Sequence, residues 1–381
     1  MFGTRIDRRG FTLALTTVLL AGCAVVPKAT GPVTPTGPEE NVLPDDDGRH
    51  RIALLVPLSG DNADVGQSIA NATTMALLDT NATNLRITTY DTATGAGSAA
   101  ARALADGSKL ILGPLLGANT DEIVRVARPK RVPLISFSND VTTAARDVFL
   151  MGHIPGQSVA RTVAYARAKG SSRFAALIPH GDYGDRVEAA LSTAIVSEGG
   201  ALMRVEKFAR GSSGISAAAK ALADKGGFDT VLIADGARLA AIAAGQFKDM
   251  TTKPKLLGTE LWSGESSITA APALRGAWFS AVSDGRYEQF SKSYKSRFGA
   301  QPYRISTLGY DAVLLTLRVA REWKPGTRFP TEMMLDSGGF LGLDGPFRFL
   351  PSGIGERAME VRQVGNGSIQ VVSPAPARFQ D

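Results

Sequence analysis

His180 and Asp182 stand two residues apart in the stretch PHGDYG, a spacing at which a carboxylate could orient an imidazole for general-base work. Loop packing, or a plain hydrogen bond to the carboxylate, accounts for the same pair without chemistry. The chain holds only two other histidines, His50 and His153, both far away in sequence. No paired-histidine zinc motif, nucleophile elbow or phosphate-binding P-loop accompanies them. Gly95-Ala96-Gly97-Ser98-Ala99-Ala100 does match a glycine-rich dinucleotide fingerprint, whose helix-end amides could hold a pyrophosphate. It follows a second strand rather than a first, five residues after that strand ends at Tyr90, and alanine-rich helices produce such matches readily. The chemistry expected is therefore binding, with no catalytic residue, metal or cofactor.

The third reactive side chain is Cys23, the only cysteine in 381 residues, so no disulfide can form within the chain. Arg5, Arg8 and Arg9 precede an uncharged run, Phe11 to Gly22, that is too short to span a bilayer and reads as an export signal over residues 1–22. The junction Leu20-Ala21-Gly22-Cys23 resembles the lipobox of bacterial lipoproteins, which implies cleavage before Cys23 and its acylation. Several acyl chains, at about 0.8 kcal/mol per buried methylene, anchor stably where one chain would not. In such lipoproteins an aspartate after the cysteine directs inner-membrane retention; Ala24 stands here, which implies the outer membrane, facing the periplasm. Arg8-Arg9-Gly10-Phe11-Thr12-Leu13 also resembles a twin-arginine signal, and the twin-arginine and general secretory routes both stay open.

Removal of residues 1–22 would lower the formal charge from +6 to thirty-nine basic against thirty-five acidic side chains, or +4. That mild excess lacks the basic clusters with interleaved aromatics of a nucleic-acid protein. Asp284-Gly285-Arg286-Tyr287 and the run from Lys292 to Arg297 read as a solvated helix face rather than a binding patch.

These groups need a scaffold to position them. From 23 to 49 the chain carries Pro27, Pro32, Pro35, Pro38, Pro44 and the acidic Asp45-Asp46-Asp47, with too little apolar side chain to form a core. At about 3.1 Å per residue this lipidated tether reaches at most roughly 80 Å. From His50 onward, uncharged runs alternate with alanine-rich helical patterns. The runs are Ile52 to Val56, Leu85 to Tyr90, Leu110 to Leu112, Val132 to Phe137, Phe174 to Ile178, Thr230 to Ala234 and Lys255 to Gly258. They suit strands covered on both faces, and Val65, Ile69, Ala72 and Ala76 at helical spacing suit a helix packed back on them. Strand and helix in alternation predict an α/β chain, each lobe a parallel sheet flanked by helices, and the length calls for two lobes. Ligands in such folds bind beyond the carboxyl ends of strands. The loops there are Pro57 to Gly60, Gly113 to Ala118, Ser136 to Asp140, Pro179 to Gly184 and Thr259 to Gly264.

The stretches RIALLVPLSG, YDTATG, KLILGPLLG, VPLISFSND, HGDYG, GTELW, SKSYKSRFGAQPYRISTLGYDAVLL, GLDGPFRF and VRQVGNGSI, in that order, resemble the two-lobed type 1 periplasmic binding protein fold of the leucine/isoleucine/valine-binding group. The resemblance implies a binding domain over 50–381, with lobe 1 at about 50–152 and 284–335, lobe 2 at about 153–283 and 336–372, and three crossings between them. It also implies that Ser59, Ser138, Asn139, Tyr183, Glu260 and Trp262 line an interlobe cleft. The serine-rich turn with which amino-acid receptors hold their ligand is here Pro114-Leu115-Leu116-Gly117-Ala118, which has no hydroxyl. With the tether and the ALLVPLSG and LILGPLLG loops, the chain looks most like the penicillin-binding protein activator lipoproteins. That resemblance implies a peptidoglycan synthase as partner; the amino-acid receptors imply instead an importer and a small polar ligand. Cys23→Ser is expected to abolish incorporation of labelled fatty acid into the protein, measured on the immunoprecipitated chain.

Overall fold

The computed structural model describes residues 48–265 and 267–379. The expected signal, Cys23 and the tether as far as residue 47 lie outside them. The first lobe opens with β1 (His50–Val56), α1 (Ala63–Asp79), β2 (Leu85–Asp91), α2 (Ala96–Ala105), β3 (Leu110–Leu112), α3 (Thr120–Ala127), β4 (Leu134–Ser136) and β5 (Val148–Leu150). Its five strands are parallel, in the order β2-β1-β3-β4-β5. Strand periodicity explains why IALLV carries no polar position. Ile52, Leu54 and Val56 enter the core beneath one face, while Ala53 and Leu55 enter the core beneath the other.

The second lobe continues with α4 (Pro155–Ala168), β6 (Arg173–Pro179), α5 (Asp182–Ser197), β7 (Ala201–Phe208), α6 (Ser212–Lys225), β8 (Thr230–Ile233), α7 (Ala237–Gly245), β9 (Lys255–Leu257), α8 (Ser267–Ala270) and β10 (Trp278–Ala281). Strand β6 divides as β1 does, with Phe174, Ala176 and Ile178 in one core and Ala175 and Leu177 in the other. Both lobes also start their first cleft-side helix in the same way. A Cβ on Gly66 would lie 1.7 Å from the Pro57 carbonyl oxygen, and one on Gly184 would lie 1.8 Å from that of Pro179. Only glycine lets α1 and α5 pack so close to the strand ends.

The chain then returns through α9 (Gly285–Phe298), α10 (Thr307–Val319), β11 (Phe340–Gly342), β12 (Gly345–Phe349) and β13 (Gly355–Arg357), and finishes with β14 (Glu360–Val364) and β15 (Ile369–Ser373). Helix α9 packs Phe290 and Tyr294 on Ala72 and Met75 of α1, and Leu308, Ala312 and Val313 of α10 enter the first-lobe core. One expected boundary shifts. Residues 336–357, assigned from sequence to lobe 2, form a separate antiparallel sheet, β11-β12-β13, whose Phe340, Phe347 and Phe349 are buried in the first-lobe core. The last crossing therefore follows Arg357. Strand β14 adds antiparallel to β10 of the otherwise parallel second sheet and β15 antiparallel to β14, in the order β15-β14-β10-β9-β8-β6-β7.

The crossings at 152–154, 282–284 and 357–360 share one buried set of charges. Asp344, fully buried in the turn between β11 and β12, accepts from His153 Nε2 at 2.8 Å, Arg304 Nη1 at 2.5 Å and Thr307 Oγ1 at 2.9 Å, with Arg357 Nη1 at 3.9 Å. Burial alone would raise its pKa. The Arg304 charge and the His153 hydrogen bond overcome that and hold it well below the ordinary carboxylate range. Burial and the Asp344 charge push the neighbouring Asp311 carboxyl upward. At the second crossing Asp284 pairs with Arg362, whose Nε donates to Glu360 at 2.7 Å, and lies 3.6 Å from Arg304 Nη2. Asp344→Ala leaves Arg304 and Arg357 buried without that carboxylate and is expected to cost about 3–5 kcal/mol. A fall in the urea midpoint checks it, with Lys295→Ala on the exposed face of α9 within about 0.5 kcal/mol of wild type.

Candidate functional site

Helix α5 begins right after the Pro179–Gly181 loop, so its first turn stands at the carboxyl end of β6 and presents Tyr183 there. The Tyr183 hydroxyl lies 2.9 Å from Thr259 Oγ1 and donates to Glu260 Oε1 at 3.2 Å. Burial, then the Glu260 charge, pushes the phenol well above its usual range. Glu260 Oε2 is buried with no hydrogen-bond partner among the described residues, and burial lifts this carboxyl from 4.5 to about 7. Arg210, just after β7, has its guanidinium 5.7 Å from the Tyr183 ring centre and pairs with Asp235, just after β8, at 3.4 Å. Four strand ends thus deliver one polar cluster.

Lobe 1 faces it with the loop after β4. Ser138 is buried, and its Oγ accepts from the Asp140 amide at 3.0 Å. Arg186, one turn along α5 from Tyr183, donates to Asn139 Oδ1 at 3.3 Å and lies 3.5 Å from Asp140 Oδ2, so it ties the second lobe to the first. Beside this link a groove of about 470 Å³ runs between the lobes, lined by Val141 of lobe 1 and by Ile154, Pro155, Ala160, Ala189 and Ala190 of lobe 2.

The structure brings Tyr183 and Glu260 together and joins Asn139, through Arg186, to the helix that carries Tyr183. Ser59 is turned elsewhere, its hydroxyl donating to Asp91 Oδ2 at 2.7 Å within lobe 1. The Leu58 amide, 2.8 Å from the other oxygen, is the chief reason that the Asp91 carboxyl is held below the ordinary range. Trp262 is a correction. The expected cleft tryptophan is fully buried in the second-lobe core, its Nε1 donating to the Asp235 carbonyl at 2.9 Å. Its indole fills the place a side chain on residue 258 would need, since a Cβ on Gly258 would come within 2.3 Å of the ring.

His180 is exposed, and no hydrogen bond joins it to Asp182 among the described residues; Asp182 pairs instead with Arg186 at 3.9 Å. His50 stacks on Trp323 at 3.9 Å, and His153 serves the interlobe charges. At the glycine-rich turn, the Gly97 amide donates to Glu122 Oε2 at 3.3 Å, which puts a carboxylate where a pyrophosphate would have to lie. Arg210, Asp235 and Arg186 are not among the expected cleft residues, while Thr259 lies in an expected cleft loop without being singled out. Arg210 follows the end of β7, a strand that the pattern of apolar runs does not reveal.

The family described as periplasmic binding protein matches residues 50–368. The chain belongs to the periplasmic binding protein family. Among solved structures it is similar to a putative branched-chain amino acid ABC transporter protein of Rhodospirillum rubrum, with a TM-score of 0.75, 20% identity, and coverage of 85% of this chain and 100% of that one. It is also similar to full-length LpoA of Haemophilus influenzae, with a TM-score of 0.66, 19% identity, and coverage of 87% of this chain and 60% of that one. The C-domain of the same LpoA, described as a regulator of PBP1A, gives 0.65 at 20% identity over 84% of this chain and 99% of that one. An uncharacterized protein of Rickettsia prowazekii is 28% identical over 157 residues, 41% of this chain and 42% of that protein. The shared fold is thus the two-lobed type 1 fold, and these binding-protein relatives include both transport proteins and a regulator.

A carboxyl lifted from 4.5 to about 7 favours the folded state in its neutral form. That contribution is fully present below about 4.5, and is lost as pH rises through about 7. Glu260→Gln is expected to flatten the fall in stability across that window, worth roughly 3 kcal/mol, as measured by urea unfolding at a series of pH values.

Proposed function

We propose that this family member is a non-enzymatic, lipid-anchored envelope protein that regulates peptidoglycan synthesis by binding a synthase, as the penicillin-binding protein activators do. Cys23 would hold it in the outer membrane, facing the periplasm. The observation that carries this reading is that the hydroxyl and amide groups expected to hold a ligand in the cleft already have internal partners. Ser59 is bound to Asp91, Ser138 to Asp140, Asn139 to Arg186, and Tyr183 to Thr259 and Glu260. The hydroxyl-free loop from Pro114 to Ala118, which leaves Leu116 exposed, and the apolar interlobe groove suit protein contact better than capture of an amino acid. The likeness to the C-domain of LpoA supports the same reading.

A second reading, the substrate-binding lipoprotein of an ABC importer for amino acids or a related small polar ligand, is favoured by the Tyr183, Thr259 and Glu260 cluster at the strand ends. Affinity purification of the full chain from detergent-solubilised envelope, followed by a glycan-polymerisation assay with and without it, separates the two. The regulator reading predicts a co-purifying synthase and a faster rate, and is overturned when neither appears. The receptor reading predicts a hit in a thermal-shift screen of amino acids, because a ligand at 100 times its Kd adds about 2.7 kcal/mol.

A further inference from the structure

Strand β9 has its carboxyl end among the interlobe loops; its other end borders a pocket of about 420 Å³ with a different character. Four cations surround this pocket: Lys248, Lys253, Lys255 and Arg275. Phe247, Leu256 and Pro272 give it apolar walls. Opposite charge is scarce. Among the described residues Lys253, Lys255 and Arg275 form no ion pair, and Lys248 meets only its neighbour Asp249, at 4.0 Å with both side chains largely exposed.

Lys255 is the fixed point of the group. Its Nζ lies 4.1 Å from the centre of the Trp278 ring and donates to the Gly276 carbonyl at 3.1 Å, so a ring face and one carbonyl replace much of its water. Burial accordingly lowers its pKa from the usual lysine value. Burial leaves Lys255 incompletely solvated, and an arriving anion would relieve that while meeting three further cations along the pocket wall. Arg275 can offer paired donors in one plane, while the lysines act as point charges.

We propose that this pocket binds a small polyanion, carrying phosphate or carboxylate groups on a partly apolar frame. The volume falls within the range of about 300–1,000 Å³ typical of small-molecule sites. The site lies at the opposite sheet end from Tyr183 and Glu260 and is independent of the function proposed above, so its failure would leave that reading untouched.

Calorimetric titration of the purified full chain with pyrophosphate and, separately, with citrate tests the proposal and tells the two anion chemistries apart. Saturable one-site binding is expected with at least one of them, weakening as salt rises from about 50 to 500 mM. The exposed-site double variant Lys253→Gln/Arg275→Gln is expected to weaken it about tenfold or more. Lys255→Met, which keeps an apolar stem against Trp278, should weaken it too, and decides the matter if the double variant fails to fold. Lys292→Gln/Lys295→Gln on α9 should leave it unchanged. Absence of heat with both anions, binding that survives the pocket substitutions, or an equal loss in the α9 control each overturns the proposal.

Discussion

Asp344 is one carboxylate in a turn between two short strands, yet three separated parts of the chain converge on it. His153 comes from the first crossing, Arg357 from the last, and Arg304, through Asp284, adds the second. With Asp311 pushed toward its neutral form, the guanidinium groups of Arg304, Arg357 and Arg362 face the carboxylates of Asp284, Asp344 and Glu360. The charges at the crossings are thus close to balanced, a condition that buried ions require. Every distance between the lobes follows from it, because the loops after β4 and β6 can meet only if the crossings hold the two sheets in this relation.

Helix α5 then divides its first turns between two tasks. Tyr183 turns into its own lobe and Arg186 reaches the other, three residues later on neighbouring positions of the same helix surface. Glycine at 184 makes this placement possible, by letting the helix start against the Pro179 carbonyl. A rotation of one lobe against the other would move Arg186 away from Asn139 and Asp140 while leaving the Tyr183, Thr259 and Glu260 contacts intact, since those three ride on a single lobe.

What could be read from the sequence, and what could not, divides along burial. Ile52 to Val56 and Leu110 to Leu112 were legible as strands because both faces are buried and no polar residue interrupts them. Strand β7 was not, since it lies at a sheet edge where Arg204, Glu206 and Lys207 alternate with apolar residues, and with it went the strand end that carries Arg210. Tyr183 and Glu260 stood out by type and position, but the side to which a loop residue turns depends on distant atoms. Glu260 and Trp262 share one short 3-10 turn, and the second points to the core only because Gly258 leaves room for an indole. Pairings such as Arg186 with Asn139 leave no local trace at all.

Strand β1 is the first element after the segment 23–49, and it lies inside its sheet, hydrogen-bonded to β2 on one side and to β3 on the other. A pull on the chain ahead of His50 would therefore act along the strand, loading the rungs from His50 to Val56 together in shear instead of peeling them open one at a time. If Cys23 anchors the chain as proposed, that geometry would turn a point of attachment into a joint that carries load.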